Sequence, residues 1–339
     1  MDFGRLMGRV LAAAAEFPDP FRDRHTGYLL RAEHSQGGFG GRTGQVDSYY
    51  TAFGLAGLTL LGRLSEPIVH RAMDALFPPV APANQPNRLG GPPDWRSLTL
   101  AELVGLVACG FFGQGITYAY QYASVPLDFA GPAGQDPFSR WGLSAQQVVQ
   151  EFLGLVRRPD SGYAKHPSSP TSSTYATFLG GLVQQWVDLP LEEPDKTAQM
   201  LLARQRDDGG FAEWPSVRQS GVNPTAAAVG WYSLAHRMPP NVRDRAAAYL
   251  ASMQTPEGGF RAHGRLPIPD LLSTFTALVA LELLDAAEAV DRQAARQFIL
   301  RLELPTGGFR AGDWDTAADV EYTFYGLAGL ALLTDATEG

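Results

Sequence analysis

The chain has 339 residues, of which 45% are hydrophobic and 18% charged, and its formal net charge is −8. This composition supplies a large core, and the acidic balance without a basic cluster argues against a nucleic-acid partner. The single cysteine, Cys109, excludes an intrachain disulfide framework and a cysteine-rich metal site. No apolar run reaches the roughly 18 residues that suggest a membrane span, so we expect a cytoplasmic protein without a transmembrane segment.

The first segment, Met1 to Phe17, predicts a surface helix. Arg5 and Arg9 precede a short apolar run that Glu16 ends. This pattern favours a helix of the mature protein over a cleaved signal peptide.

Beyond this segment, a glycine-glycine-aromatic signature returns at a nearly fixed period. Its three clearest members follow one another at intervals of 49 residues: Gly209-Gly210-Phe211, Gly258-Gly259-Phe260 and Gly307-Gly308-Phe309. A fourth, Ser161-Gly162-Tyr163, lies 48 residues before the first of these. Gly37-Gly38-Phe39 opens the series, and Gly90-Gly91-Pro92 is a degenerate member between them. A fixed period of this length indicates a repeated supersecondary unit. The chain therefore contains six units.

Each unit is predicted to be a helical hairpin. In the unit around Phe260, Asn241 caps a one-sided amphipathic helix that Gly258 ends, and Asp270 begins a helix that is apolar almost all round. The first type suits an outer layer and the second must be buried. Outer and inner helices therefore alternate along the chain.

The inner helices share a common register. They are predicted to start at Asp47, Ser173, Asn223, Asp270 and Asp319, with Thr51, Thr177, Ala227, Thr274 and Thr323 four residues on and Gly54, Gly180, Gly230, Ala277 and Gly326 seven residues on. We interpret the small residues as sites of close approach by a neighbouring helix. In the degenerate unit, Thr99 and Glu102 predict a capping box.

The first and last inner helices, 47–61 and 319–333, are both apolar and closely alike, so each can cover the other. We therefore predict an all-α fold, a closed α/α toroid of about twelve helices that forms one domain over residues 1–339. The longest interval between units predicts a loop or lid at 117–141.

These motifs resemble the α/α-toroid superfamily of protein prenyltransferase β subunits and squalene-type terpene cyclases. The Gly-Gly-Phe turns, the Asp-x-x-x-Thr-x-x-Gly inner helices and the Gln-x-x-x-Gly-x-aromatic segments carry the resemblance. It implies a toroid that handles isoprenoids, either as a prenyltransferase-like transferase or as a terpene cyclase-like enzyme.

The resemblance implies a zinc site in prenyltransferases, built from Asp, Cys and His. Asp270 matches the first ligand, but Leu272 stands at the cysteine position and Tyr322 at the histidine position. We therefore expect that the protein binds no zinc and has no metal site built from these ligands.

The resemblance also implies cationic side chains for an isoprenoid diphosphate, since the leaving group carries negative charge. Arg261, His263 and Arg265 lie on the loop of the matching unit, with a spacing that differs from the family's. An ordinary solvated loop is the alternative interpretation.

For the cyclases, the resemblance implies an Asp-x-Asp-Asp acid. Asp313 and Asp315 reproduce part of it, although Thr316 replaces the next aspartate, and Asp319 and Glu321 complete the densest acidic cluster. Asp313, Asp315 and Asp319 are therefore the candidate catalytic residues. Magnesium binding and a solvated acidic loop stay open for this cluster.

Aromatic residues recur on the predicted inner helices and are expected to line a central pocket for an isoprenoid chain: Tyr49, Tyr50, Phe53, Tyr175, Phe178, Trp231, Phe275, Tyr322, Phe324 and Tyr325. Three functions remain: an isoprenoid-handling enzyme without zinc, a non-catalytic lipid-binding or protein-interaction toroid with a protein partner, and an α/α-barrel hydrolase.

Overall fold

The computed structural model describes residues 3–78, 94–113 and 136–334. Within these residues the helices are α1 Phe3–Ala15, α2 Asp19–Ala32, α3 Ser48–Leu60, α4 Glu66–Leu76, α5 Leu100–Gly113, α6 Ala145–Val156, α7 Thr174–Trp186, α8 Pro194–Leu202, α9 Val222–Leu234, α10 Pro240–Ser252, α11 Leu271–Leu283, α12 Arg292–Arg301 and α13 Val320–Leu332. Two short antiparallel pairs accompany them: β1 Phe260–Arg261 with β2 Pro269–Asp270, and β3 Phe309–Arg310 with β4 Ala318–Asp319.

Six inner helices form a closed ring. Around this ring each member packs on the next, in the order α3, α5, α7, α9, α11 and α13, and α13 packs again on α3. The even-numbered helices α2 to α12 form the outer layer, and each precedes its inner partner in the chain. The predicted closed α/α toroid is therefore confirmed.

A threonine in each clear unit fastens the glycine turn to the inner helix that follows it. Thr274 is fully buried; its Oγ1 accepts a hydrogen bond from Phe260 N at 2.9 Å and donates one to Asp270 O at 2.7 Å. Thr51, Thr177, Thr225 and Thr323 make the same pair of bonds. The repeated threonine therefore satisfies a buried backbone group in each turn.

The small residue seven positions into the inner helix serves a different contact from the one predicted. A Cβ on Gly54 would lie 2.4 Å from the ring of Phe39, and one on Gly326 would lie 2.4 Å from the ring of Phe309. The small residue thus makes room for the turn aromatic of its own unit. The prediction of a neighbouring helix was wrong at these positions, but it is confirmed at Gly230, where an added Cβ would lie 2.6 Å from the ring of Phe178 on the neighbouring helix α7.

The predicted start of the fourth inner helix was wrong by two residues. Gly221, not Asn223, is the N-cap of α9, and it pairs with Phe211 as Asp270 pairs with Phe260. The shared position is therefore Thr225 and not Ala227. Pairing with the turn aromatic decides this register, although asparagine is by itself a good capping residue. The capping box of Thr99 and Glu102 is confirmed.

The first helix exists as predicted, but it does not lie on the outer surface. Leu6, Val10 and Ala14 of α1 are buried, and α1 contacts the inner helices α3, α9, α11 and α13. Amphipathic spacing predicts that one face is covered, but it does not say by what.

Most of the loop or lid expected at 117–141, namely residues 117–135, lies outside the described residues. Its last part is a short 3₁₀ helix, Pro137–Trp141, in which the Trp141 ring stacks on Phe77 at 5.1 Å. Among the described helices, none has the length and apolar character needed to cross a membrane.

Candidate functional site

Ring closure brings a carboxyl group and two phenols together. Glu321, in the first turn of α13, accepts hydrogen bonds at Oε1 from Tyr49 Oη at 2.6 Å and from Tyr325 Oη at 2.8 Å. Tyr49 lies in the first turn of α3, the neighbour of α13. One oxygen of the carboxyl is thus fixed by two donors from adjacent inner helices.

Aromatic rings from three inner helices surround this carboxyl. The ring of Tyr325 stacks on Phe275 with centroids 5.1 Å apart, and it meets Phe53 edge-on at 5.4 Å. Further ring pairs extend the cluster, namely Tyr49 with Phe53, Phe53 with Phe324, Phe275 with Phe324, and Tyr322 with Tyr325. Aromatic faces of this kind pack against apolar chains and stabilise cations.

Tyr175 reaches the same cluster from the far side of the ring. It lies in the first turn of α7, which is three helices away from α13 in either direction. Burial and the negative charge of Glu321 raise the pKa of the Tyr175 phenol to about 12, while a hydrogen bond to Tyr49 opposes the shift. The tyrosines from α3, α7 and α13 therefore meet at one level of the ring.

Burial controls the protonation of this site. It raises the pKa of the Glu321 carboxyl, while the bonds from Tyr49 and Tyr325 lower it, and the nearby charge of Asp319 raises it further. Burial also raises the pKa values of the Tyr49 and Tyr325 phenols, so both remain hydrogen-bond donors. Among the described residues Glu321 has no cationic partner. Burial therefore shifts this carboxyl towards its protonated form.

The second oxygen of Glu321, Oε2, has no hydrogen-bond partner among the described residues, because both bonds that the carboxyl accepts there go to Oε1. A protonated carboxyl held at Oε1 and unoccupied at Oε2 can donate a proton to a molecule in the ring. Glu321 is a candidate functional residue that the sequence analysis placed only in an acidic cluster. The available signal was its position two residues beyond the helix cap, which it shares with Tyr49 and Tyr175.

The three predicted catalytic aspartates lie in ion pairs at the seam between the last and first units. Asp319 caps α13 by accepting from Tyr322 N at 2.8 Å and also accepts from Arg42 Nε at 3.3 Å. Asp315 pairs with the Arg42 guanidinium, which lowers the pKa of the Asp315 carboxyl. Asp313 pairs with Arg310 at 2.8 Å and with Arg301 at 3.4 Å. Arginine side chains thus already pair with all three of these aspartates.

The predicted basic loop lies against the outer helix α10. Arg261 donates to Ser252 O at 3.4 Å, and its charge lowers the pKa of the neighbouring Tyr249 phenol against the dominant effect of burial. Arg265 lines a cavity of about 290 Å³ together with Asp208, Arg218, Gln219, Ser220, Tyr249, Met253 and Gly264. His263 Nδ1 accepts from Arg265 N at 3.3 Å.

This cavity is rich in hydrogen-bond donors. Tyr249 is 3% exposed, and its hydroxyl has no partner within the described residues. Gln219 Nε2 and Arg261 Nε are likewise buried without a partner there. Among the described residues, Asp208 is the only carboxylate that lines the cavity, and it already accepts hydrogen bonds from Ser220 Oγ and Gly210 N. The chemistry of the cavity therefore suits an anion.

The remaining aromatic candidates have mixed positions. Trp231 is 2% exposed and packs beside Gly181 of α7, inside the wall of the ring. The ring of Tyr50 covers Gly41 at the rim. Phe178 is half-buried, and its ring lies 6.3 Å from that of Phe3.

A zinc site of the prenyltransferase type does not fit these residues. The two carboxyl oxygens of Asp270 accept from Ser273 N at 2.7 Å and Ser273 Oγ at 2.8 Å. Leu272 offers no donor atom, and burial raises the pKa of the Tyr322 phenol to about 12. In the described part of the chain, no three histidine, cysteine, aspartate or glutamate side chains group as metal ligands.

Comparisons with known proteins agree with this architecture. The family model of the prenyltransferase alpha-alpha toroid domain matches residues 16–83 and 227–338. No curated protein sequence matches the chain.

Two solved structures with similar folds come from different enzymes. Protein geranylgeranyltransferase-I of Candida albicans, complexed with GGPP, aligns with TM-score 0.68 and 14% identity over 92% of this chain and 90% of that one. A variant of the type II terpene cyclase MstE from Scytonema, in complex with its substrate geranylgeranyl dihydroxybenzoate, aligns with TM-score 0.56 and 13% identity over 96% and 97%. At these identities the likeness establishes the fold.

Proposed function

The chain belongs to the prenyltransferase alpha-alpha toroid family, and we propose that it binds an isoprenoid within its ring of inner helices and donates a proton to it from Glu321. The chain would lie against the aromatic cluster of α3, α11 and α13, and the carboxyl would meet one of its double bonds. This is terpene cyclase-like chemistry that requires no zinc.

The hydrogen bonding of Glu321 is the single observation that carries the proposal. Tyr49 and Tyr325 both donate to Oε1, so the transferable proton would reside on Oε2, which accepts no hydrogen bond from the described residues. In the reaction the Oε2–H bond breaks, a C–H bond forms at one alkene carbon, and the other carbon becomes cationic. Loss of a proton from the product cation returns the proton to Glu321, so the step needs no additional reactant.

The aromatic surroundings support both binding and the cationic step. Burial of an apolar chain stabilises binding by roughly 25 cal/mol per Å² of surface removed from water. The rings of Phe53, Phe275 and Phe324 all contact Tyr325, which binds Glu321, and would stabilise a cation formed near that carboxyl. The solved relatives, complexed with GGPP and with a geranylgeranyl compound, support an isoprenoid as the ligand class.

A second candidate, an isoprenoid diphosphate as the ligand, is favoured by the cavity beside α10. Arg218 and Arg265 line it, Arg261 lies next to it, and the Tyr249 hydroxyl lacks a partner among the described residues. The loop that carries Arg261 and Arg265 leads directly into α11, which carries Phe275. In this arrangement the cavity would bind the diphosphate group of the ligand.

Binding and chemistry are separated by one substitution. Glu321→Gln retains an oxygen that accepts from Tyr49 and Tyr325 but holds no transferable proton. We expect the variant to bind geranylgeraniol as the unmodified protein does, measured by calorimetry, and to lose conversion of the isoprenoid. Glu257→Gln, at an exposed glutamate of a glycine turn, is the matched control and should leave both unchanged. Binding without conversion by the unmodified protein would instead favour a non-catalytic lipid-binding toroid.

A further inference from the structure

The described glycine turns all lie at one end of the toroid. Each connects the last turn of an outer helix, through a loop, to the first residue of an inner helix, so Glu321 in the first turn of α13 lies at this end. Backbone hydrogen bonds tie each loop to its neighbour in the ring. Val222 N donates to Ala262 O at 2.8 Å, and Leu271 N donates to Ala311 O at 2.8 Å. The loops therefore follow one another around this end, which we term the loop end.

The loop end carries every large apolar side chain that is exposed among the described residues. Three lie in the last turns of the outer helices α2, α6 and α8, namely Leu30, Leu155 and Leu202. The others lie on the loops after the glycine turns, namely Trp214, Leu266, Ile268 and Trp314. They come from five of the six units and are therefore distributed around the ring. Exposed apolar surface concentrated at one end of a molecule marks an interface.

Two neighbouring loops add positive charge to this surface. Arg218 and Arg265 are the exposed charged side chains of loops 211–221 and 260–270, and neither forms an ion pair with a described carboxylate. Both line the cavity of about 290 Å³ beside α10, so the two loops meet there. Lys165, by contrast, pairs with Glu213 at 3.0 Å. The charge at the cavity therefore complements an anionic partner.

The cavity is built to bind an anion beside apolar side chains. The buried Tyr249 hydroxyl and Gln219 Nε2 have no hydrogen-bond partner among the described residues, and both side chains line the cavity. Leu266 directly follows Arg265 in the loop and is exposed. A phosphate held by these donors would thus lie next to an apolar surface. Phosphates next to apolar chains are what the surface of a phospholipid bilayer presents.

We propose that the loop end docks on an anionic lipid bilayer, with its exposed apolar side chains among the acyl chains and a lipid phosphate in the cavity between Arg218 and Arg265. Apolar side chains distributed around a ring end can all contact a flat surface, whereas a globular partner would cover one side. Arginines near the surface attract anionic lipids. An isoprenoid diphosphate and a lipid phosphate would compete for the cavity. The inference goes beyond the proposed function and does not depend on proton transfer from Glu321.

Sedimentation with lipid vesicles tests the docking. The full chain is titrated with vesicles of phosphatidylcholine alone and with vesicles of phosphatidylcholine and phosphatidylglycerol in equal parts. The unmodified protein should bind the anionic vesicles. Leu266→Glu combined with Ile268→Glu should lower this affinity by about tenfold or more, because apolar contact is lost and repulsive charge is added. Ala289→Glu adds the same charge at an exposed residue between α11 and α12, at the opposite end, and should leave binding unchanged.

The cavity is tested by the preference for anionic over neutral vesicles. Arg218→Gln combined with Arg265→Gln should lower this preference by about tenfold or more. Tyr249→Phe removes only the hydroxyl and should lower it in the same direction. An unchanged preference in both variants would overturn the assignment of a lipid phosphate to the cavity.

Three further results would overturn the docking itself. They are no binding of the unmodified protein to either kind of vesicle, equal vesicle binding by the Leu266 and Ile268 double variant and by Ala289→Glu, and a dimer in light scattering that the double variant dissociates. The last result would assign the apolar end to a second copy of the chain. Isoprenoid binding measured by calorimetry without vesicles is a separate readout, so failure of the docking and failure of the proposed function are distinguishable.

Discussion

Tyr49 Oη lies 2.6 Å from Glu321 Oε1, although 272 residues separate the two in the sequence. The contact exists because the first and last inner helices are neighbours in a closed ring. The proposed site is therefore complete only when the toroid is closed, and its chemistry depends on a carboxyl whose pKa is raised by burial.

The protonation of Glu321 should affect stability in a predictable direction. Burial raises the pKa of this carboxyl above its ordinary value of 4.5, so the folded state binds the proton more tightly than the unfolded state. That contribution is fully present below pH 4.5 and is lost as the pH rises through the folded-state pKa. Urea unfolding between pH 4 and 8 should show Glu321→Gln gaining stability relative to the unmodified protein as the pH rises. A difference independent of pH would contradict this.

A second pH effect has the opposite sign. His25 is fully buried at the seam, where Nε2 lies 3.2 Å from Glu303 Oε1 and Nδ1 accepts from Gly308 N at 3.1 Å. Burial lowers the pKa of His25 from 6.5 to about 4. The unfolded state therefore binds more protons between these values, and stability falls as the pH drops from 6.5 to 4.

The size of this loss can be measured against a variant. A shift of this size corresponds to about 3 kcal/mol in the free energy of unfolding. His25→Asn removes the titrating group, so the advantage of the unmodified protein over the variant should shrink by this order between pH 7 and pH 4 in urea unfolding. An advantage that stays constant over that range would show that His25 does not titrate as described.

The sequence predicts the ring far better than the site. The repeated turns and the likeness of 47–61 to 319–333 predict a closed toroid because both are local patterns. The position of α1 is not local, since its apolar stripe could be covered by many surfaces. Glu321 escaped prediction because its importance comes from Tyr49, which is brought close only by closure. Asn223 is a good capping residue by itself, but the helix begins after Gly221 because Gly221 pairs with Phe211.

The turn threonines should contribute strongly to stability. Thr274→Val preserves shape but leaves the buried N–H of Phe260 without its acceptor, which costs about 1–3 kcal/mol. Urea unfolding should detect this loss. Thr306→Val, at an exposed threonine of another turn, is the control and should change stability little. Equal small effects from both variants would refute the structural role of Thr274.

The cavity beside α10 should distinguish charged from uncharged isoprenoids. Replacing Arg261 and Arg265 together by alanine should weaken geranylgeranyl diphosphate binding more than geranylgeraniol binding, because the alcohol lacks the charge that these side chains meet. Calorimetry on both ligands measures the difference, with Arg296→Ala on the exposed face of α12 as the control. Equal losses for the two ligands would exclude this cavity as the site of the head group.

Zinc should be dispensable. Leu272 and Tyr322 replace two ligands of the prenyltransferase site, so the purified protein should contain no stoichiometric zinc by elemental analysis, and chelation should leave isoprenoid binding unchanged. About one tightly held zinc per chain would contradict the expectation.

Proton transfer from Glu321 is tested most directly by deuterium incorporation. The protein is incubated in D₂O with geranylgeraniol and, separately, with geranylgeranyl diphosphate, and the recovered isoprenoid is examined by mass spectrometry. Because the carboxyl exchanges its proton with solvent, the unmodified protein and Glu257→Gln should place carbon-bound deuterium in the isoprenoid, and Glu321→Gln should place none while still binding it. Incorporation that persists in Glu321→Gln, or that is absent from the unmodified protein although it binds both ligands, would contradict the assignment of Glu321 as the proton donor.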